Sequence, residues 1–243
     1  MAESVYLPGV TIQNANVLDS PRHSALVRIT HWINTFNFFA LVVSGIAILL
    51  AHPRLYWGET GAVGTPSLID LPLPFVLDVP IRGPGRYLHF LSAWVFVLTG
   101  LLYVISGFVT QHFRKNLLPA KRELSWSAIA RVVSNSLRLK RPSEEESLTY
   151  NVVQRISYLG VVFVLTPLII LTGLAMSPAV TSVFPAVVNV FGGQQSARTI
   201  HFFISSFLVL FLLVHIAMVF LAGFKKRVRA MITGHSAGGK EPS

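Results

Sequence analysis

T-I-H-F-F-I-S-S-F-L-V-L-F-L-L-V-H-I-A-M-V-F-L-A-G-F, residues Thr199 to Phe224, is an apolar run interrupted by two histidines. It is long enough to cross a bilayer core, which takes about 20 helical residues. His201 and His215 are fourteen residues apart, which in an α-helix is almost four complete turns and a rise of roughly 21 Å. Both imidazoles therefore leave nearly the same helix face, at two depths. An apolar helix with two stacked imidazoles requires a partner at each level.

Three further runs have the same character, so the spans read as about 26–51, 87–113, 156–177 and 199–224. Of the 243 residues 52% are hydrophobic and 12% charged, against about 25% charged in a soluble domain. The expectation is an all-α membrane protein, a four-helix bundle occupying residues 26–224. A tail over 1–25 precedes it and a basic tail over 225–243 follows. There is no cysteine, which excludes disulfides, thiolate metal sites, iron–sulfur ligation and covalent c-type haem. The first twenty-five residues are polar and lack an apolar core with a small-residue cleavage site. Span one is thus expected to act as the targeting signal.

The net charge of +10 would fit nucleic acid, but its placement argues for topology. Between spans two and three lie Arg114, Lys115, Lys121, Arg122, Arg131, Arg138, Lys140, Arg141 and Arg155. Lys225, Lys226, Arg227 and Arg229 follow span four, whereas the other two connections are balanced or nearly uncharged. The positive-inside rule puts both termini and the basic loop in the cytoplasm. The surplus also attracts anionic lipid, and no nucleic-acid partner is expected.

Within the basic loop, Trp126, Ile129, Val133 and Leu137 share one helical face, the pattern of a short interfacial helix. Ser143 before Glu144–Glu146 has the form of an N-cap with an acidic first turn. Pro167 is expected to kink span three. The external segment Pro53–Arg86 is broken by prolines and glycines, and it serves either as a docking surface or as a lid over the helix ends.

With this topology His31 in span one and His215 lie toward the inside, and His89 in span two and His201 toward the outside. The four form two pairs at two levels, His89 with His201 and His31 with His215. Bis-histidine haem needs one imidazole above and one below the porphyrin, supplied by facing helices. Two such haems in series would carry electrons across the membrane. Zinc fits less well, because no carboxylate or cysteine joins either pair. One tension remains: His31 is three residues from Arg28, whereas His215 is ten from Lys225.

R-I-T-H-W-I-N around His31, R-Y-L-H-F around His89, and H-x13-H in the fourth span resemble the bacterial cytochrome b561 and nickel-hydrogenase cytochrome b family. This family includes the cytochrome b subunits of hydrogenases, formate dehydrogenases and thiosulfate reductases. Ala51–Gly58 (A-H-P-R-L-Y-W-G) and Met231–Gly234 (M-I-T-G) are similar to the branch that accompanies sulfite-oxidase-type molybdopterin proteins. The resemblance implies two haem b groups, with His31, His89, His201 and His215 as axial ligands. It implies location in the bacterial inner membrane and a periplasmic oxidoreductase partner, molybdopterin-dependent as in that branch. Arg86 and Arg198 would meet the outer propionates and Arg28 or Arg155 the inner ones; each is equally a snorkelling anchor. A quinone would sit by the inner haem, with Thr30, Asn34, Asn37 and His112 as candidates, although each taken singly reads more readily as a helix–helix hydrogen bond.

The expected function is electron transfer between the quinone pool and that partner. The alternative is a haem-free anchor that recruits a periplasmic enzyme through Pro53–Arg86.

Overall fold

The computed structural model describes residues 25–61, 64–71, 82–119 and 152–234, with residues 125, 127, 130 and 134. The tail over 1–24, the interfacial face of Trp126, Ile129, Val133 and Leu137, and the Ser143 cap lie outside the described residues.

Four helices are long and apolar enough to span a membrane. Span one is Ala25–Ala51 and span two Arg82–Val109. Span three joins Val152–Gly160, a π-helical turn at Val161–Leu165 and Thr166–Ala175. Span four is Gln194–Leu221. Span one packs closely along span two, and span three along span four. Their outer faces are apolar: Phe36 is 71% and Leu98 64% exposed, as lipid contact requires. The buried side chains include small hydroxyls, Thr30, Ser44, Ser92, Thr172, Ser196 and Thr199. Small polar residues let membrane helices approach and hydrogen-bond, where apolar side chains gain nothing over lipid.

Span boundaries depart from the expected ones for identifiable reasons. Span two begins at Arg82, ahead of residue 87, and ends at Val109. Gln111 takes the left-handed conformation at φ 55°. The chain then turns through a π-helix, Phe113–Leu117, and the Phe113 ring folds back over Gly107. A Cβ on Gly107 would lie 2.4 Å from that ring. In span three Pro167 lacks an N–H and its ring crowds the carbonyl four residues back. The π turn precedes it, with the Thr166 N–H reaching the carbonyl of Val161.

Span four starts at Gln194, five residues before the expected 199, because another part of the chain caps it. Its N-cap, Gly193, supplies no side-chain bond. The Gly58 carbonyl instead accepts from the N–H groups of Gln195 and Ser196, at 3.0 and 3.2 Å. These are two of the donors every helix start leaves unpaired. The Gly58 N–H donates to Ser196 Oγ at 2.7 Å, and Thr199 Oγ1 donates to the Tyr56 carbonyl at 2.6 Å. Arg198 donates to the His52 carbonyl. A two-strand ladder, β1 (Arg54–Leu55) with β2 (Ile69–Asp70), braces the segment. Asp70 pairs with Arg54 at 3.1 Å and holds its guanidinium above the ordinary value. Leu55 is buried beneath. Residues 53–61 and 64–71 are thus sewn to the start of span four, while residues 82–86 already belong to span two.

Two short helices, Pro178–Thr181 and Ala186–Val190, connect spans three and four. Beyond span four Gly223 takes φ 95°, and a separate helix, Phe224–Thr233, forms within the expected basic tail. It returns to the start of span one: Arg28 Nη1 donates to the Ile232 carbonyl at 2.7 Å, and Trp32 Nε1 to that of Met231 at 3.2 Å. Lys225 therefore does not continue span four, and the tension over the depth of His215 disappears.

Candidate functional site

The four histidines come together in two pairs. His89 of span two and His201 of span four have ring centroids 6.3 Å apart. His31 of span one and His215 of span four stand 6.4 Å apart. Their depths match: His89 is seven residues from Arg82 and His201 seven from Gln194, while His31 is six from Ala25 and His215 six from Leu221. Span four contributes one ring to each level, and the levels are about 21 Å apart along it.

The His89 and His201 rings are fixed by hydroxyls from the neighbouring helix of each close-packed pair. Ser44 Oγ of span one lies 3.0 Å from His89 Nδ1. Thr172 Oγ1 of span three lies 3.0 Å from His201 Nδ1. The His31 and His215 rings lie among aromatic groups. Phe211 stacks on His215 with centroids 6.1 Å apart, and Tyr158 meets Phe211 edge-on. Trp32 sets its edge against His31 at 5.6 Å.

The ring spacing suits an ion held between two imidazoles. A metal–imidazole bond is about 2.0 Å and a ring centroid lies about 1.1 Å behind its nitrogen, so opposed ligands have centroids about 6.2 Å apart. Each pair offers an ion two imidazole ligands, the number that a bis-histidine haem iron takes from its protein.

The remaining candidates are dispersed. Arg198, at the His201 end of span four, uses its guanidinium on the His52 carbonyl, and Arg86 is exposed near the start of span two. Arg28 donates to Ile232, while its Nε is buried and makes no hydrogen bond. Arg155 is half-buried in span three. Thr30 bonds back to the Leu26 carbonyl at 2.8 Å. Asn34 Oδ1 accepts from Thr99 at 2.6 Å, and Asn37 Nδ2 donates to the Ser92 carbonyl at 2.8 Å. Both asparagines thus tie span one to span two. His112 lies beyond the end of span two, against the rings of Tyr103 and Phe113.

Residues 22–234 match the family model described as prokaryotic cytochrome b561. The chain belongs to the prokaryotic cytochrome b561 family. It is a multi-pass inner-membrane protein and a haem b electron-transfer subunit. It is similar to a protein of Azospira oryzae named "Putative protein-methionine-sulfoxide reductase subunit YedZ1". The two are 30% identical over 213 residues, covering 88% of this chain and 96% of that one. No solved structure gives a significant match.

Ser44 and Thr172 were not among the sequence candidates, although a signal for them exists. Ser44-Gly45-Ile46-Ala47 and Thr172-Gly173-Leu174-Ala175 repeat one pattern near the C-terminal ends of spans one and three.

Proposed function

We propose that this cytochrome b561 holds two haems b in series and passes electrons between a quinone at the inner level and an oxidoreductase docked outside. His89 and His201 bind the outer iron, and His31 and His215 the inner one. The observation that carries this proposal is the pair of ring separations, 6.3 and 6.4 Å, at two depths of one shared helix. The haems supply reversible one-electron Fe(III)/Fe(II) exchange. The protein would supply the imidazole nitrogens of His89, His201, His31 and His215 at fixed depths, and a lipid-facing shell that excludes water.

Arg86 and Arg198 serve the outer propionates. Arg28, with its buried unbonded Nε, serves the inner ones, and Arg155 is a second candidate. Thr30, Asn34, Asn37 and His112 are the quinone candidates. The register set by Asn34–Thr99 and Ser44–His89 places residue 31 opposite residue 102, beside Tyr103. His112, which packs on Tyr103, is therefore the first to vary. The inner end faces the cytoplasm by charge: Lys225, Lys226, Arg227 and Arg229 sit there with Arg28. The relative's name, a protein-methionine-sulfoxide reductase subunit, supports a reductase as partner; the sequence resemblance implies a periplasmic, molybdopterin-dependent one, towards which electrons would flow outward.

The test is a reduced-minus-oxidised spectrum of the purified chain, first with dithionite and then with a quinol. Two haems b per chain, reducible by quinol, are expected. Absence of b-type haem would overturn the proposal and leave the haem-free anchor.

A further inference from the structure

Ser44 and Thr172 each make a bond that helix formation does not explain. A serine or threonine in a membrane helix commonly returns its hydroxyl proton to the carbonyl four residues back. Both do so here: Ser44 Oγ donates to Ala40 at 2.6 Å and Thr172 Oγ1 to Leu168 at 2.7 Å. Those lengths are ordinary for O–H···O bonds, whereas 3.0 Å is ordinary for N–H···O. A hydroxyl has one proton to give. With that proton on the carbonyl, each oxygen can only accept from the imidazole facing it, so Nδ1 carries the hydrogen in both rings.

Local packing repeats along with the bond. The next residue is glycine in both helices. A Cβ on Gly45 would lie 3.6 Å from His89 Cε1, and one on Gly173 3.5 Å from His201 Cε1. A methyl group would touch the ring and a larger side chain would push it. Two separate helix pairs thus build the same cradle, hydroxyl then glycine, under the two rings that face each other. Ser44 is 1% and Thr172 0% exposed, and each hydroxyl shares the facing ring with one backbone carbonyl of its own helix, Leu41 for His89 and Ile169 for His201.

We infer that Ser44 and Thr172 are the positioning residues of the outer haem site, each taking the Nδ1–H of one histidine so that both Nε2 lone pairs face the iron. The inference rests on the assignment of His89 and His201 to the outer haem. A neutral imidazole binds metal through the nitrogen that lacks hydrogen, and the bond made by its other nitrogen decides which that is. The same bond makes the ligand more basic. A more basic ligand favours Fe(III), so the two hydroxyls hold the outer potential down.

The test is a redox titration of the purified haem-loaded chain, following the two b components separately. Thr172→Val removes the hydroxyl at nearly constant shape, and Thr172→Ser retains it; Ser44→Ala and Ser44→Thr form the matching pair. Thr172→Val and Ser44→Ala should each raise the midpoint of one component, the same in both, and leave the other in place. Thr172→Ser and Ser44→Thr should titrate as wild type. Outer midpoints unchanged in both Thr172→Val and Ser44→Ala would overturn the inference. If Thr172→Val loses the outer haem, retention in Thr172→Ser supports the inference and equal loss in Thr172→Ser overturns it. A wild-type chain without haem b would instead refute the two-haem proposal, so the two failures are distinguishable.

Discussion

Gly193→Ala should loosen the end of the bundle where span four begins, and the structure gives the size of the effect. Gly193 has φ 114° and ψ 165°, a region only glycine occupies readily, so alanine costs about 1–3 kcal/mol in strain. Its Cβ would also lie 2.4 Å from both C and O of Gly58. That contact is backbone on backbone and cannot be relieved by a rotamer change. The lid must withdraw, and the three hydrogen bonds between Gly58 and residues 195–196 lengthen or break. At about 1 kcal/mol net for each bond, the total is about 4 kcal/mol or more. For a chain of this size roughly 2–4 °C of melting temperature accompanies each kcal/mol, so a fall of about 10 °C is expected. The assay is thermal unfolding of the purified protein in detergent. Gly58→Ala is the control: φ is also positive, at 98°, but nothing lies within 4 Å of its Cβ. It should cost only about 1–2 kcal/mol. Equal melting temperatures for Gly193→Ala and wild type would refute the capping argument. Equal losses for the two alanine variants would refute the role of the close contact.

Other parts of the fold give smaller, separable effects. Thr199→Val leaves the Tyr56 carbonyl without its 2.6 Å donor in a buried site, costing about 1–3 kcal/mol, to be read in the same melting assay. Arg28→Gln removes the Nη1 bond to Ile232. A loss of about 1 kcal/mol should speed tryptic cleavage at Lys225 and Lys226 roughly fivefold, and an unchanged rate would show that the bond does not hold the helix. Asp70→Asn breaks the exposed pair with Arg54 and should leave the melting temperature unchanged, since solvent screens such pairs.

The spans and the histidine levels were legible in the sequence because each rests on a local pattern. Twenty apolar residues define a membrane helix without knowledge of its neighbours, and the fourteen-residue spacing of His201 and His215 fixes their common face. Helix ends were less legible, because distant residues set them. Gly58 caps Gln194–Leu221 from more than a hundred residues away, and the Phe113 ring closes the end of span two over Gly107. The helix Phe224–Thr233 was missed although Gly223 and Gly234 bracket it, because four cations among ten residues read as a solvated tail. Ser44 and Thr172 were missed because a hydroxyl in a membrane helix usually bonds to its own backbone. Only the three-dimensional register shows that each also faces a histidine.

The central claim is that span four gives one ligand to each of two haems. It is tested most directly by the haem b content per chain of wild type, His201→Ala and His215→Ala. Two haems in the wild type and one in each variant are predicted, with the remaining haem differing in potential between the two variants. A single haem in the wild type, or a content unchanged by either substitution, would contradict the account.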